Sequence, residues 1–376
     1  MTTMQPIRRG LVLAGSLLLG VAAHAAPVTS APDPLVRPAE VMPKAPASLL
    51  LDLVQTGGNY VVVGERGHVL RSSDGNEWVQ VVDVPLRVTL TAVTGVDQQL
   101  WAVGHDGTIL HSSDGGLHWQ TQRHDPWHAP AEDASDDNIR QGVPLLDVLF
   151  SDAEHGFAVG AYALLLATSD GGKTWQEVEI HGSRAASSQA LDEEEHGDEV
   201  AEATDVPHSD VFSAAELQIS QEPEPHLNAI ARTGSGGLVI VGERGAVFRS
   251  RDDGKSWVRS QLPYDGSMFG VLGFEGERVL SFGLRGNVFE STDLGENWNR
   301  IPTDTQLSLM GGRALVNGGA VIVGANGVLL RRAQAGAAIE TFVVPSAGVI
   351  SGVAPVSDSA DLLVTGENGV RRYHPK

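Results

Sequence analysis

Short runs of alternating apolar and polar residues follow one another down the chain with turn residues between them, and the arrangement returns about every forty residues. Val69-Leu70-Arg71-Ser72 and Trp175-Gln176-Glu177-Val178-Glu179-Ile180 are two such runs. A period of two puts successive side chains on opposite faces of a strand, and tight turns between such runs predict hairpins. In the third repeat Leu145–Phe150, Gly156–Gly160, Leu164–Ser169 and Thr174–Ile180 predict four strands. Four strands per period of about forty residues is the pattern of a β-propeller with one blade per repeat.

Two turn phrases mark the period. In the first, a Ser or Thr is followed by Asp two positions on, Gly four on and Trp seven on. Its copies carry Asp114 and Trp119, Asp170 and Trp175, Asp252 and Trp257, and Asp293 and Trp298, while the copy with Asp74 and Trp78 is one residue short. The Asp carboxylate can accept nearby backbone N–H groups, the Gly relieves the backbone and the Trp can pack between sheets. All three roles are structural, and a radial arrangement keeps the Asp residues apart, which argues against shared metal or acid–base chemistry. The second phrase is a Gly-x-x-Gly turn upstream of the first, as in Gly64-Glu65-Arg66-Gly67 and Gly242-Glu243-Arg244-Gly245; the third repeat departs with Gly160-Ala161-Tyr162-Ala163. Counting these turns gives seven repeats. The sixth replaces the Asp phrase with Arg331-Arg332-Ala333-Gln334, and the seventh supplies three strands, Val349–Ala354, Leu362–Gly366 and Val370–Tyr373. The predicted fold is therefore all-β, a seven-bladed β-propeller of four-stranded antiparallel blades, with Leu35–Met42 closing the last blade as an N-terminal strand and leaving no unpaired ring edge.

Composition adds compartment and segments. Residues 1–25 combine Arg8-Arg9, an apolar run Leu11–Ala23 and the ending Ala23-His24-Ala25, which predicts a secretory signal peptide cut after Ala25 and a periplasmic location. The run is shorter than the roughly 20 residues of a spanning helix, so no direct membrane anchor is expected. Arg8-Arg9 is a weak match to a twin-arginine signal, and the export route stays open. There are no cysteines, which removes disulfides, thiol chemistry and a lipid-bearing cysteine. Residues 26–48 read as linker and closing strand, and 49–376 as the propeller, a ring large enough to bury its own core as a monomer.

The net charge is −21, and twelve acidic residues against the single Arg184 lie in 181–226. That tract reads as an acidic, disordered insertion between blades three and four; the sharper alternative, a metal-collecting tract, has His181, His196 and His208 but no fixed ligand spacing. A second insertion, 124–142, holds Asp133-Ala134-Ser135-Asp136-Asp137-Asn138, which begins like a calcium loop but has Asn138 in place of the Gly and Pro144 in place of the last Glu. No metal or cofactor is assigned. Overall acidity argues against a nucleic-acid partner.

With antiparallel strands, the Gly-x-x-Gly turns, the blade-to-blade connections and both insertions share one face, and the Asp-phrase turns share the other. The first face carries Glu65, Arg66, His105, Asp106, Tyr162, Glu243, Arg244, Arg285, Asn326 and Asn368. Turns are polar because they are exposed, which accounts for most of these residues. Arg66, Arg244 and Arg285 stand apart because three turns repeat Arg before the second Gly, and a guanidinium suits carboxylates or an acidic partner segment.

Val-Gly-x-x-Gly together with Ser-x-Asp-Gly-Gly-x-x-Trp resembles the photosystem II stability and assembly factor family and its non-photosynthetic bacterial relatives, over 49–376 and most strongly in Leu100–Trp119, Gly156–Trp175 and Gly237–Trp298. The resemblance implies a non-enzymatic seven-bladed propeller that helps membrane-protein subunits assemble, with a membrane protein complex, such as a transporter of the export-pump type, as partner. The long acidic insertion, the 124–142 loop and the sixth blade depart from that family's pattern. The competing reading is a sialidase-like glycoside hydrolase or a glycan-binding propeller, because such enzymes also carry the Asp phrase. The Phe/Tyr-Arg-Ile-Pro signature is absent, Tyr162 alone of the four tyrosines lies in a turn of the expected face with no evident Glu partner, and only Trp127 and Tyr162 offer glycan platforms. The expectation is therefore that no catalytic residues exist.

Overall fold

The second strand of every blade has no polar face. Asn59–Gly64, Gln99–Gly104, Gly156–Gly160, Leu238–Gly242, Val279–Gly283, Ala320–Gly324 and Leu362–Gly366 are buried along almost their whole length. Strands this uniformly apolar must be covered on both sides, and in this protein the cover on each side is the neighbouring blade. The computed structural model describes residues 37–126, 142–180, 224–357 and 359–375, all within one compact unit, Leu35–Lys376.

Six sheets have four antiparallel strands in chain order. Blade one is Leu50–Thr56, Asn59–Gly64, Val69–Ser72 and Val79–Gln80, and blades two to six repeat it, beginning at Leu90, Leu145, Leu227, Met268 and Leu309. The first strands of all seven blades line a central channel with a cavity of about 300 Å³. Apolar clusters fill the seams between blades; between blades two and three, Trp101 is fully buried and stacks on Phe150 at 3.5 Å between ring centroids. Burying an aromatic of this size contributes several kcal/mol, so the seams carry much of the ring's stability.

The last blade departs from the expected closure. It has three strands, Ile350–Pro355, Leu362–Gly366 and Gly369–Tyr373, and residues 37–42 form no strand beside them. The segment follows blade one instead. Ala39 N–H donates to the Val84 carbonyl at 3.0 Å, and the Gln80 side-chain amide accepts Met42 N–H and donates to the Glu40 carbonyl, each at 2.8 Å. A side-chain amide imitates a strand here, so the segment's backbone is satisfied without a ladder. The ring closes through the core: Leu50, Leu53 and Val62 of blade one pack with Ala354, Val356 and Leu363, and the Ser351 hydroxyl donates to the Leu50 carbonyl at 3.2 Å. Leu35 and Val36, the expected signal peptide at 1–25, and most of the insertions 124–142 and 181–226 lie outside the described residues.

Candidate functional site

The Gly-x-x-Gly turns are built from the backbone outward. A Cβ on the first Gly of each turn would lie 2.0–2.4 Å from the carbonyl oxygen of the residue leading into that blade's first strand, as at Gly64 against Leu49 and Gly324 against Ser308. Only glycine permits this approach, which explains why the first Gly is present in all seven turns. The residue before the second Gly sits in the left-handed region in six blades: Arg66 (φ 55°), Asp106 (55°), Tyr162 (54°), Arg244 (53°), Arg285 (57°) and Asn326 (52°). In blade three Ala163 is left-handed as well and donates its N–H to the Pro225 carbonyl at 2.9 Å.

The structure divides the polar residues of this face. Glu65, Glu243 and Glu367 turn inward, and their carboxylates accept the N–H of Leu49, His226 and Val349 at 3.4, 3.2 and 3.1 Å. Asn368 donates to the carbonyls of Ser346 and Ala347 at 3.1 and 3.0 Å. These side chains brace the turns. Arg66, His105, Tyr162, Arg285 and Asn326 are exposed, while Asp106 and Arg244 are half-buried. Blade order places Arg244 and Arg285 in neighbouring blades four and five, with Arg66 in blade one across the ring. Tyr162 meets the His226 ring edge-on at 5.0 Å, and His226 Nδ1 lies 3.7 Å from the Glu243 carboxylate. Tyr162, His226 and Glu243 therefore form one group beside Arg244. His226 did not stand out in the sequence because it ends the acidic insertion and belongs to no repeat.

On the opposite face each Asp is enclosed by its own turn. The Ser or Thr hydroxyl donates to the Asp carboxylate at 2.7–3.0 Å and accepts the N–H of the following Gly at 2.8–2.9 Å in all five copies. Backbone N–H groups complete the cage, as from Leu117 and His118 to Asp114, each at 3.0 Å. The Thr174 N–H and hydroxyl hold Asp170, and the Ser256 and Ser250 hydroxyls hold Asp252, each at a pKa of about 2. Burial pushes Asp293 up, but the Asn297 N–H and the Ser291 hydroxyl outweigh it and bring it to about 2. The Trp indoles pack as the motif implies, with Trp119 and Trp257 donating to the Gly116 and Gly254 carbonyls at 3.1 Å. Blade six has no such cage: Arg332 occupies the Ser position, is buried, and pairs with Glu290 of blade five at 2.7 Å.

Three charged groups in the channel had no motif to announce them. Asp52 accepts Val93 N–H at 2.9 Å and Asp147 accepts Ile230 N–H at 2.9 Å, so each carboxylate ties its blade's first strand to that of the next blade. Burial first, and then the Asp52 charge, push Asp147 up to about 7. Burial likewise raises Asp52, opposed by Arg313, which donates to the Leu53 carbonyl at 2.7 Å. Among the described residues no group of three or more His, Asp or Glu is placed to hold a metal ion, and no helix is long and apolar enough to cross a membrane.

A family model described as photosynthesis system II assembly factor YCF48 matches residues 136–199 and 209–367, more than half of the chain. The photosystem II assembly lipoprotein Ycf48 of Prochlorococcus marinus is 33% identical over 143 residues, a stretch that spans 36% of this chain and 40% of that relative. A solved structure described as YCF48 bound to D1 peptide is 16% identical, covers 92% of this chain and 99% of its own, and superposes with a TM-score of 0.59. Virginiamycin B lyase from Staphylococcus aureus superposes equally well, with a TM-score of 0.59 at 12% identity over 87% of this chain and 94% of its own, so the shared ring carries no statement about activity.

Proposed function

This chain belongs to the YCF48 family of photosystem II assembly factors, and from that membership we propose that it is a non-enzymatic, exported scaffold that holds a polypeptide segment of a membrane protein against its Gly-x-x-Gly face. One observation carries the reading. Asn326 occupies the left-handed turn position at φ 52°, a conformation that Asn and Asp adopt with little penalty. Three turns keep Arg there at φ 53–57°, although the turn itself needs no guanidinium and a left-handed Arg costs about 1 kcal/mol. A residue retained against its local preference points to a use outside the turn. Arg244 and Arg285 on adjacent blades, with Tyr162 and His226 beside Arg244, make one part of this surface suited to an acidic or chain-terminal carboxylate. Arg66 across the ring gives a second contact for a longer segment.

The solved YCF48 bound to D1 peptide supports a peptide as the class of ligand. Relatives named as lipoproteins carry a membrane association in their name, whereas this sequence holds no cysteine to bear a lipid, so its association with a membrane would run through the partner. The periplasm remains the proposed compartment, resting on the leader-like first 25 residues. No observation here favours an export pump over other membrane proteins, or glycoside hydrolysis over binding. The test is crosslinking and capture from intact cell envelopes with the wild type and an Arg66→Asn, Arg244→Asn, Arg285→Asn variant, which keeps the turn conformation. Recovery of a membrane protein by the wild type at least tenfold above the variant is expected. Equal recovery would remove the Arg face from the function.

A further inference from the structure

At four of the seven seams a long side chain from one position crosses between neighbouring blades beside the turns of the Asp phrase, the Asp-box turns. That position is the last but one of the third strand. Arg71 of blade one donates to the Gly115 carbonyl of blade two at 2.8 Å; Arg249 of blade four pairs with Glu296 of blade five; Glu290 of blade five pairs with Arg332 of blade six; and Arg372 of blade seven donates to the Asn76 side chain of blade one at 3.2 Å. The register is the same in each, since Arg71, Arg249, Glu290 and Arg372 pair with Val61, Val239, Leu280 and Leu363 of the second strands. At the seam between blades two and three, Trp101 and Gln122 reach the Gly171 carbonyl at 3.1 and 2.9 Å. In blade three the position is Ala167, paired with Phe157. Nothing crosses from it, and a cleft of about 570 Å³ opens there against blade four.

The far wall has changed in the same sense. Counting back from the Trp, the residue that accepts the crossing Arg is Glu296 in blade five and Asn76 in blade one, and in blade four it is Lys255. Lys255 lines the cleft with Arg232 and His155, over a floor that includes Phe157, Ala167 and Leu238. The two carboxylates nearby already have partners: Asp253 takes Arg232 at 3.1 Å and Asp152 takes His155 at 3.0 Å. Among the described residues Lys255 has no ion-pair partner. The seam that four other blade pairs close by a donor meeting an acceptor is open here, with a cation where the acceptor stood in blades five and one. The Ser169 hydroxyl on the wall can donate to an oxygen ligand, while those of Thr174 and Ser151 already donate to Asp170 and to the His155 carbonyl.

We propose that this cleft takes an acidic side chain, Glu or Asp, of a partner polypeptide, which inserts between blades three and four and pairs with Lys255. The inserted group completes the seam as Glu290 does between blades five and six. The site faces away from the Arg-bearing turns and does not depend on them.

The test measures binding of N-acetyl-glutamate amide and N-acetyl-glutamine amide to the full chain by ligand-observed NMR. The glutamate probe is expected to bind at least fivefold more tightly than the neutral probe. Ala167→Glu supplies the carboxylate from within, and is expected to abolish probe binding and raise the melting temperature. Lys255→Glu recreates the blade-five wall, and is expected to reverse the preference so that N-acetyl-arginine amide binds in place of the glutamate probe. Because Lys255 is exposed, that variant keeps the inference open to refutation even if Ala167→Glu fails to fold. Equal binding of the two probes, no binding, or an unchanged preference in Lys255→Glu would overturn it.

Discussion

The two faces of the ring solve the same problem, reversing a strand, in opposite ways. On the Asp-box face the turn is held by side chains: the Ser or Thr hydroxyl, the Asp carboxylate and the residue four positions after the Asp are consumed by hydrogen bonds within a few residues, as in Ser291, Asp293 and Asn297. On the Gly-x-x-Gly face the turn is held by backbone, through the close approach of the first Gly and the left-handed residue before the second. A turn held by side chains has few left for other uses. A turn held by backbone is set by φ and by the close Gly rather than by the identity of the left-handed side chain, which is why Arg, Asp, Tyr and Asn can all occupy one position. On the Asp-box face a cleft opens where no side chain crosses the seam, as at Ala167.

The sharpest way to break this contrast is in blade six, where an ion pair replaces the cage. Glu290→Ala would leave Arg332, only 6% exposed, without its carboxylate, and should cost about 3 kcal/mol in urea unfolding; a change below about 1 kcal/mol would mean the pair does not replace the cage. Within a true cage, Ser291→Ala removes a buried hydroxyl that serves both Asp293 and the Gly295 N–H, and should cost about 1.5 kcal/mol.

Acidity separates rim from channel. The caged Asp170, Asp252 and Asp293, held at about 2, contribute stability above the ordinary carboxylate range that is lost as pH falls through 2. Asp147, raised to about 7, binds its proton more tightly in the folded protein, so its contribution is present below about pH 4 and is lost as pH rises through 7. Asp147 should therefore add a decline in stability between pH 4 and 7 with a slope of at most about 1.4 kcal/mol per pH unit, and Asp147→Asn should remove that part of the slope. A slope unchanged by this substitution would assign it elsewhere. The smallest effect is expected on the opposite face, where Arg285→Asn should leave the unfolding midpoint within about 0.5 kcal/mol of wild type, because Asn accepts the left-handed turn. A larger loss would show that the guanidinium braces the turn after all.

The sequence by itself determined the seven repeats, the strand order within each blade and the division into two faces, because each rests on chain-local physics: a period of two in the strands, an Asp caged within its own turn, a Gly forced by a close carbonyl. It also singled out the repeated Arg. It misjudged the ring closure, since Leu35–Met42 has a plausible length and place for a strand, but the choice between pairing with blade seven and being held by Gln80 of blade one depends on which blade edge lies nearer. Glu65, Glu243 and Asn368 read as surface polar residues, and only their neighbours across the turn revealed them as braces. Asp52, Asp147 and Arg313 stand in three different repeats, and nothing in one repeat announces the others; the closed ring brings them to one channel, where burial gives the carboxylates their raised affinity for protons. The cleft at Ala167 was decided the same way. An alanine in a strand is unremarked in sequence, and becomes a vacancy only when the register sets it beside Arg71, Arg249, Glu290 and Arg372 at the other seams.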